Sequence, residues 1–404
     1  MNRNIFFCVV LLSMLPSKLA HADGAVDLGP VDRVTALFSY PNCQSNCKAT
    51  PTLEETVTHY FTQSLQRDGF ADSTVSVTKS AGGHIVATFV GSAAVVYPSQ
   101  VTRVLQAGNA GLKAVRRLQA DNEWRNDWRF FLPLGLAWVK HPTLEILIFP
   151  PDYTLNRDQD YLAAQTTERW SDLLVSEGLT REESDRYQDI IDIAPIAAPH
   201  DCMGVGSARC GETLTDVPSY FLDYHFQLLR LWLSTESVID GVHRRKVPRP
   251  AVAFGSWVLA WLKQNFNIDL KPGEIGIMDV PNIGSVPVIG SFHPAALYRT
   301  VSPEWNPDKT DKERFVDGMK IMQQDAIVAC WQIQMGKVPD GDPGAVLSSC
   351  KRDWKEKTEE ICRLLETEGY RKTPDEAKQY CESGVLKNFV YPSDERAAEL
   401  ERLE

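Results

Sequence analysis

One histidine stands at a position suited to work on a ligand. His293 lies in Gly290-Ser291-Phe292-His293-Pro294-Ala295-Ala296-Leu297-Tyr298-Arg299, directly after the apolar run Val286-Pro287-Val288-Ile289-Gly290. A strand that ends in His-Pro and passes into a helix places an imidazole at a strand terminus, where it can donate a hydrogen bond or move a proton. Acid partners are available elsewhere in the chain. Asp152, Asp158 and Asp160 follow a second apolar run, Leu144–Phe149, with Tyr153 and Tyr161 among them, and Asp189 precedes a third, Ile190–Ile196. A carboxylate facing His293 would make a general acid–base pair. The plainer reading keeps His293 as a hydrogen-bonding residue of its own turn and Asp152, after two prolines, as a turn residue. No HExxH, P-loop or GxSxG pattern is present, and Gly204-Val205-Gly206 is a lone GxG that does not follow a clean strand. His243-Arg244-Arg245-Lys246-Val247-Pro248-Arg249 either touches phosphates or is a solvated loop.

The elements that must position these groups follow from periodicity. Between about 140 and 335, strand candidates at 144–149, 190–196, 251–255 and 286–290 alternate with helices around Trp170–Leu174, Phe226–Leu233 and Trp257–Phe266. Such alternation predicts an α/β fold, a three-layer αβα arrangement on a short, mainly parallel four-stranded sheet. Ligands in such sheets bind beyond the carboxyl ends of the strands. Ahead of it, residues 23–125 predict a small α+β unit. Thr52-Leu53-Glu54-Glu55 is a capping box, Leu53, Val57, Phe61 and Leu65 recur at helical spacing, and Asp68-Gly69 stops the helix. Strand-like runs follow at Val75–Val77, Ile85–Phe89 and Ala93–Tyr97. Residues 336–404 predict a charged helical extension: 351–404 hold 11 basic and 14 acidic side chains, and Thr373-Pro374-Asp375-Glu376 is a helix start.

Taken together, residues of about 140–335 resemble the uracil-DNA glycosylase superfamily. The likeness is carried by His293-Pro294-Ala295 after a strand, by the strand-Gly-helix step Phe254-Gly255-Ser256-Trp257, by Glu177–Arg181 with the strand to Pro195, and by Gln324-Asp325-Ala326 in a closing helix. The resemblance implies that a base is flipped out, gripped along its hydrogen-bonding edge and stacked on an aromatic ring. His293 would hydrogen-bond the departing base, Pro294 would line the binding site, Tyr153 or Tyr161 would stack, and Asp189 would stand about where the family reads the base. The first motif departs from the family's pattern. Where the family carries an acid or amide, Leu147-Ile148-Phe149-Pro150-Pro151-Asp152 offers Ile148 or Phe149, and Asp152 is the nearest substitute. An ionised Asp189 accepts but cannot donate, so uracil would fit it poorly. The expected function is therefore a binding or interaction protein with a degenerate glycosylase-like site, the alternative being an N-glycosidic hydrolase. A hydrolase of another substrate, pairing His293 with Asp152, is a third reading.

Compartment and charge narrow the partners. Arg3, the apolar run Ile5–Leu15 and Ala20-His21-Ala22 make residues 1–22 a secretory signal, which places the protein in a periplasm or outside the cell. Cleavage would remove Cys8 and leave Cys43, Cys47, Cys202, Cys210, Cys330, Cys350, Cys362 and Cys381. An even number in an oxidising compartment favours disulfides, with neighbours pairing, and no metal or other cofactor is expected. Losing Arg3 and Lys18 leaves 40 basic residues against 53 acidic ones, a net −13. That balance disfavours nucleic acid as the partner and leaves a protein or a nucleobase-containing ligand. No later stretch is long and apolar enough to span a membrane.

Overall fold

A computed structural model describes residues 24–38, 52–125, 128–130, 132, 142–147, 165–187, 189–197, 217–233, 238–239, 242–243, 249–280, 284–338 and 341–368. The N-terminal unit is built from β1 (Ala25–Pro30), α1 (Val31–Phe38), α2 (Leu53–Arg67), β2 (Thr74–Lys79), β3 (His84–Val90) and α3 (Ala93–Asp121). Its strands form an antiparallel sheet in the order β1-β3-β2. The capping box of α2 is complete: the Glu55 amide donates to Thr52 Oγ1 (3.2 Å) and the Thr52 amide donates to Glu55 Oε2 (2.7 Å). Gly69, with φ +73°, turns the chain out of the helix.

The run Ala93–Tyr97, expected as a strand, is instead the first turn of the long helix α3. Its start is capped from a distant loop. The Ala93 amide donates to Ser73 Oγ (3.0 Å), the Ser92 amide to Asp72 Oδ2 (3.1 Å), and the Tyr97 hydroxyl to the Asp68 carboxylate. Buried Ala93, Tyr97, Val101, Val104 and Leu105 then follow at helical spacing.

Downstream come β4 (Arg129–Phe130), β5 (Leu144–Leu147), α4 (Gln165–Ser176), α5 (Arg181–Tyr187), β6 (Asp189–Asp192), β7 (Ile196–Ala197), α6 (Leu222–Leu233), β8 (Val238–Ile239) and β9 (Val242–His243). They are followed by β10 (Ala251–Phe254), α7 (Gly255–Phe266), β11 (Ile275–Val280), β12 (Gly284–Ser291), α8 (Ala296–Val301), α9 (Asp311–Lys337) and α10 (Pro343–Glu368). The central sheet has five strands rather than four, in the order β11-β12-β10-β5-β6. Four run parallel and β11 pairs antiparallel with β12 at the edge. The α/β class holds, with a mainly parallel sheet.

Successive side chains of the strands point to opposite faces. Ala251, Ala253, Val288 and Ile191 join one apolar cluster with α6 and α7, whereas Val252, Phe254, Ile289 and Ile190 join another with α4, α9 and α10. The first cluster runs without a break into the N-terminal unit, from Val26 and Phe89 through α3 and Trp128 to Leu144 and Ile146. One apolar cluster thus has members on both sides of residue 125. Two glycines let α3 sit close to β4 and to α1. A Cβ at Gly111 would lie 2.1 Å from Phe130 Cε2, and one at Gly108 would lie 2.8 Å from Leu37 Cδ2.

Cys330 of α9 and Cys350 of α10 are joined, with Cα atoms 6.0 Å apart. Of the remaining expected pairs, Cys43, Cys47, Cys202, Cys210 and Cys381 lie outside the described residues, as does the side chain of Cys362, and the signal segment lies outside them too. No described helix is long and apolar enough to cross a membrane. Because the bridge closes a 20-residue separation, its loss should cost about 3 kcal/mol by loop-closure entropy. The expected result for Cys330→Ala/Cys350→Ala is a matching fall in unfolding free energy by urea titration without reductant.

Candidate functional site

In chain order the parallel strands run second, first, third, fourth across the sheet, β6-β5-β10-β12. The order reverses between β5 and β10, and a ligand crevice opens beyond the carboxyl ends at such a reversal. Leu147 and Asp192 stand in register at the ends of β5 and β6, and Phe254 and Ser291 at the ends of β10 and β12. His293 follows two residues after β12 and is half-buried.

Two features of the sequence force this placement. Gly255 turns from β10 into α7 at φ +87°, and a Cβ there would lie 3.2 Å from the Cβ of His293. Only glycine suits both the left-handed backbone and the close approach. The Ala295 amide donates to His293 Nδ1 (3.2 Å), which leaves the proton of the neutral ring on Nε2. Burial pushes the His293 pKa down to about 4, and the positive charges of Arg299 and Arg169 push the same way. His293 is thus a neutral imidazole presenting an Nε2–H donor.

The turn is clamped from behind. Arg169 of α4, fully buried, donates one guanidinium nitrogen to the Pro294 carbonyl and another to Asp325 Oδ2 of α9 (2.6 Å). Ser291 Oγ donates to Asp325 Oδ1 (3.4 Å). Pro294, expected among the binding residues, is itself buried and its carbonyl is engaged by Arg169. In and after the helix that follows the turn, the Arg299 guanidinium stacks on Trp305 at 5.2 Å from the ring centre, and Trp305 is 51% exposed.

Asp189 does not join this group. It stands at the amino end of β6, in register with Leu144, about 10 Å down the strand from the carboxyl end. There it pairs with Arg249 at 3.3 Å, and burial lowers the Arg249 pKa to about 10 against the opposing pull of Asp189. It therefore stands at the end of β6 opposite the one expected for a residue that reads a ligand beside His293. The carboxylate at the correct end is Asp192, buried and beside Leu147. Sequence reading missed it because Asp189 and Asp192 flank the same Ile190-Ile191 pair, and only strand direction separates them. Asp152, Tyr153 and Tyr161 lie outside the described residues, as do Asp158 and Asp160. No group of three or more metal-ligating side chains occurs among the described residues.

Beneath the sheet, His225 of α6 is fully buried edge-on to Trp261, with ring centres 5.3 Å apart. Burial drives its pKa down to about 3, against the opposing effect of the Ile193 and Asp192 backbone.

Compared with known proteins, the chain matches no protein-family model, no curated protein and no solved structure.

Two outcomes follow from the buried charges. Arg169→Met strands the Asp325 carboxylate in the core, and unfolding by urea should show a loss of about 3–5 kcal/mol. Arg169→Met/Asp325→Leu, which removes both charges, should recover most of that loss. The folded pKa values of His225 and His293 lie below the ordinary 6.5, so the unfolded chain binds more protons below that pH. Stability present above pH 6.5 is lost as pH falls toward 4 and 3. For His225 the loss at pH 5 is about 2 kcal/mol. Unfolding of His225→Leu should show a slope against pH between 6.5 and 5 that is smaller by about one proton.

Proposed function

We propose that the α/β part of this chain is a glycosylase-like binding domain, in an exported protein, that holds a nucleobase-bearing ligand beyond the carboxyl ends of β5, β10 and β12. The observation that carries this reading is the state of His293: neutral, fixed through Nδ1 and backed by Arg169 and Asp325, with Nε2–H left to donate. A neutral donor suits a carbonyl oxygen on a flat heterocycle, and the histidine of the resembled family would meet its base in this way. The arrangement of α4, α9 and α10 against one face and α6 and α7 against the other supports a three-layer fold of the same kind. The exposed Trp305, held by Arg299, supplies an aromatic surface nearby.

Binding is favoured over cleavage because Ile148 or Phe149 occupies the place where hydrolysis needs an acid or amide to position water. One observation supports a hydrolase as the second reading. Asp192 sits in register with Leu147, directly beside the position where the first motif's polar group is missing.

Titration of the oxidised protein with uridine, adenosine and uracil-containing single-stranded DNA separates the two. We expect saturable binding of at least one of these, weakened about 3- to 12-fold by His293→Ala, the worth of one hydrogen bond. Alkali treatment of the incubated DNA should give no strand breaks beyond those of the His293→Ala control. Breaks above that control would favour the hydrolase reading, and absence of binding by all three ligands would remove the binding reading.

A further inference from the structure

Outside the candidate site, the outer face of α3 carries a charge pattern opposite to that of the whole chain. The chain is net −11, yet residues 93–120 contain four basic side chains, Arg103, Lys113, Arg116 and Arg117, and no acidic one. All four are exposed. At 3.6 residues per turn they fall, together with Val95, within an arc of about 140° and along about 33 Å of helix. Arg33 of α1 lies alongside, its Nε donating to Asn109 Oδ1 of α3 (2.9 Å). Carboxylates stand at its margins: Asp27 and Asp32 beside Arg33, Asp72 at the start of α3, held by the Ser92 amide (3.1 Å) and hydroxyl (2.6 Å), and Asp121 at its end, engaged by the Tyr220 hydroxyl (2.9 Å).

Apolar side chains are exposed at the start of α3 and at the end of the strand before it. Val95 is 87% exposed and Val90, at the end of β3, is 59% exposed; these are the two most exposed of the large apolar side chains among the described residues. Burying such side chains is favourable at roughly 25 cal/mol per Å². A cationic helix face with aliphatic side chains toward one end matches an anionic lipid surface, which attracts each cation and accepts shallow insertion of the apolar groups. A single-stranded nucleic acid is a poorer match, since it calls for exposed aromatic rings between the cations. The one aromatic residue of α3, Tyr97, is buried.

We propose that the outer face of α3 docks the protein peripherally on an anionic phospholipid surface, with Arg103, Lys113, Arg116 and Arg117 over the headgroups and Val90 and Val95 at the headgroup–acyl boundary. The surface is independent of the His293 site, so the reading stands or falls separately from any ligand there.

The test uses the full chain, sedimented with vesicles of phosphatidylcholine alone and of phosphatidylcholine mixed with phosphatidylglycerol. Binding is expected to the mixed vesicles only, and to weaken as salt is raised. Lys113→Gln/Arg116→Gln/Arg117→Gln should weaken it by about fivefold per charge, about a hundredfold in all, with far-ultraviolet circular dichroism unchanged. Val95→Asp should weaken it further at high salt, where the charges are screened. The same number of neutralised charges on α10, Lys351→Gln/Arg352→Gln/Lys355→Gln, should leave binding as it is. The proposal is overturned by absence of binding to mixed vesicles at low salt, by equal loss in the α10 variant, or by tighter binding to single-stranded or duplex DNA than to the mixed vesicles at the same salt. The first of these arms needs no variant and so does not depend on the folding of any.

Discussion

The fold around His293 depends on where one guanidinium is buried. Taking the Arg169 charge out of water is expensive, and such a group is tolerated only where its donors meet good acceptors. Here it spans two elements, meeting the Pro294 carbonyl behind the turn and the Asp325 carboxylate on α9. The next residue of α4, Trp170, donates from Nε1 to Gln332 Oε1 (2.8 Å), two turns further along α9. Gln332 Nε2 in turn donates to Glu145 Oε1 of β5 and to Thr143 Oγ1, each at 2.9 Å. Apolar packing alone would allow α4 and α9 to slide or rotate on the sheet at small cost. These polar contacts fix one register, because any slip leaves a buried charge or amide unsatisfied.

The two ends of the sheet use buried charge differently. At the amino ends, Asp189 and Arg249 satisfy each other. At the carboxyl ends, the Arg169–Asp325 pair acts on a backbone carbonyl and so sets the direction of the neighbouring imidazole. Gly255 works to the same end from the other side, by leaving room where a side chain would displace His293. Rigid backing of this kind suits a site that recognises a ligand by one or two directed hydrogen bonds.

How much of this was legible depended on whether the deciding contacts were local. The capping box at Thr52 and Glu55, the Gly255 step and the four parallel strands are written in neighbouring residues and are legible there. The start of α3 was not, because its amides are capped by Asp72 and Ser73 from another loop, and the five apolar or small residues from Ala93 hide a helical period. Strand β11 was also missed. Gly276 and Asp279 dilute its strand character, but Gly276 is needed there, since a Cβ would lie 2.6 Å from Ile268 Cγ2. His293 was picked out from its motif, whereas its partners Arg169 and Asp325 lie far apart in sequence and no local pattern joins them. Locally, Asp325 is legible only as part of a closing helix.

The strand order has a kinetic side. The first parallel strand in the chain, β5, ends up inside the sheet, between β6, which follows after about 40 residues, and β10, which arrives only after about 60 more. Long loops must close before such pairings yield any return, so a sheet of this order has high contact order and assembles slowly. The α9–α10 hairpin needs no such closure. Its cysteines are near neighbours in the chain, and its helices can meet while the sheet is still incomplete. The face that carries Asp325 can therefore be ready as a template before the strand end bearing His293 arrives to be held.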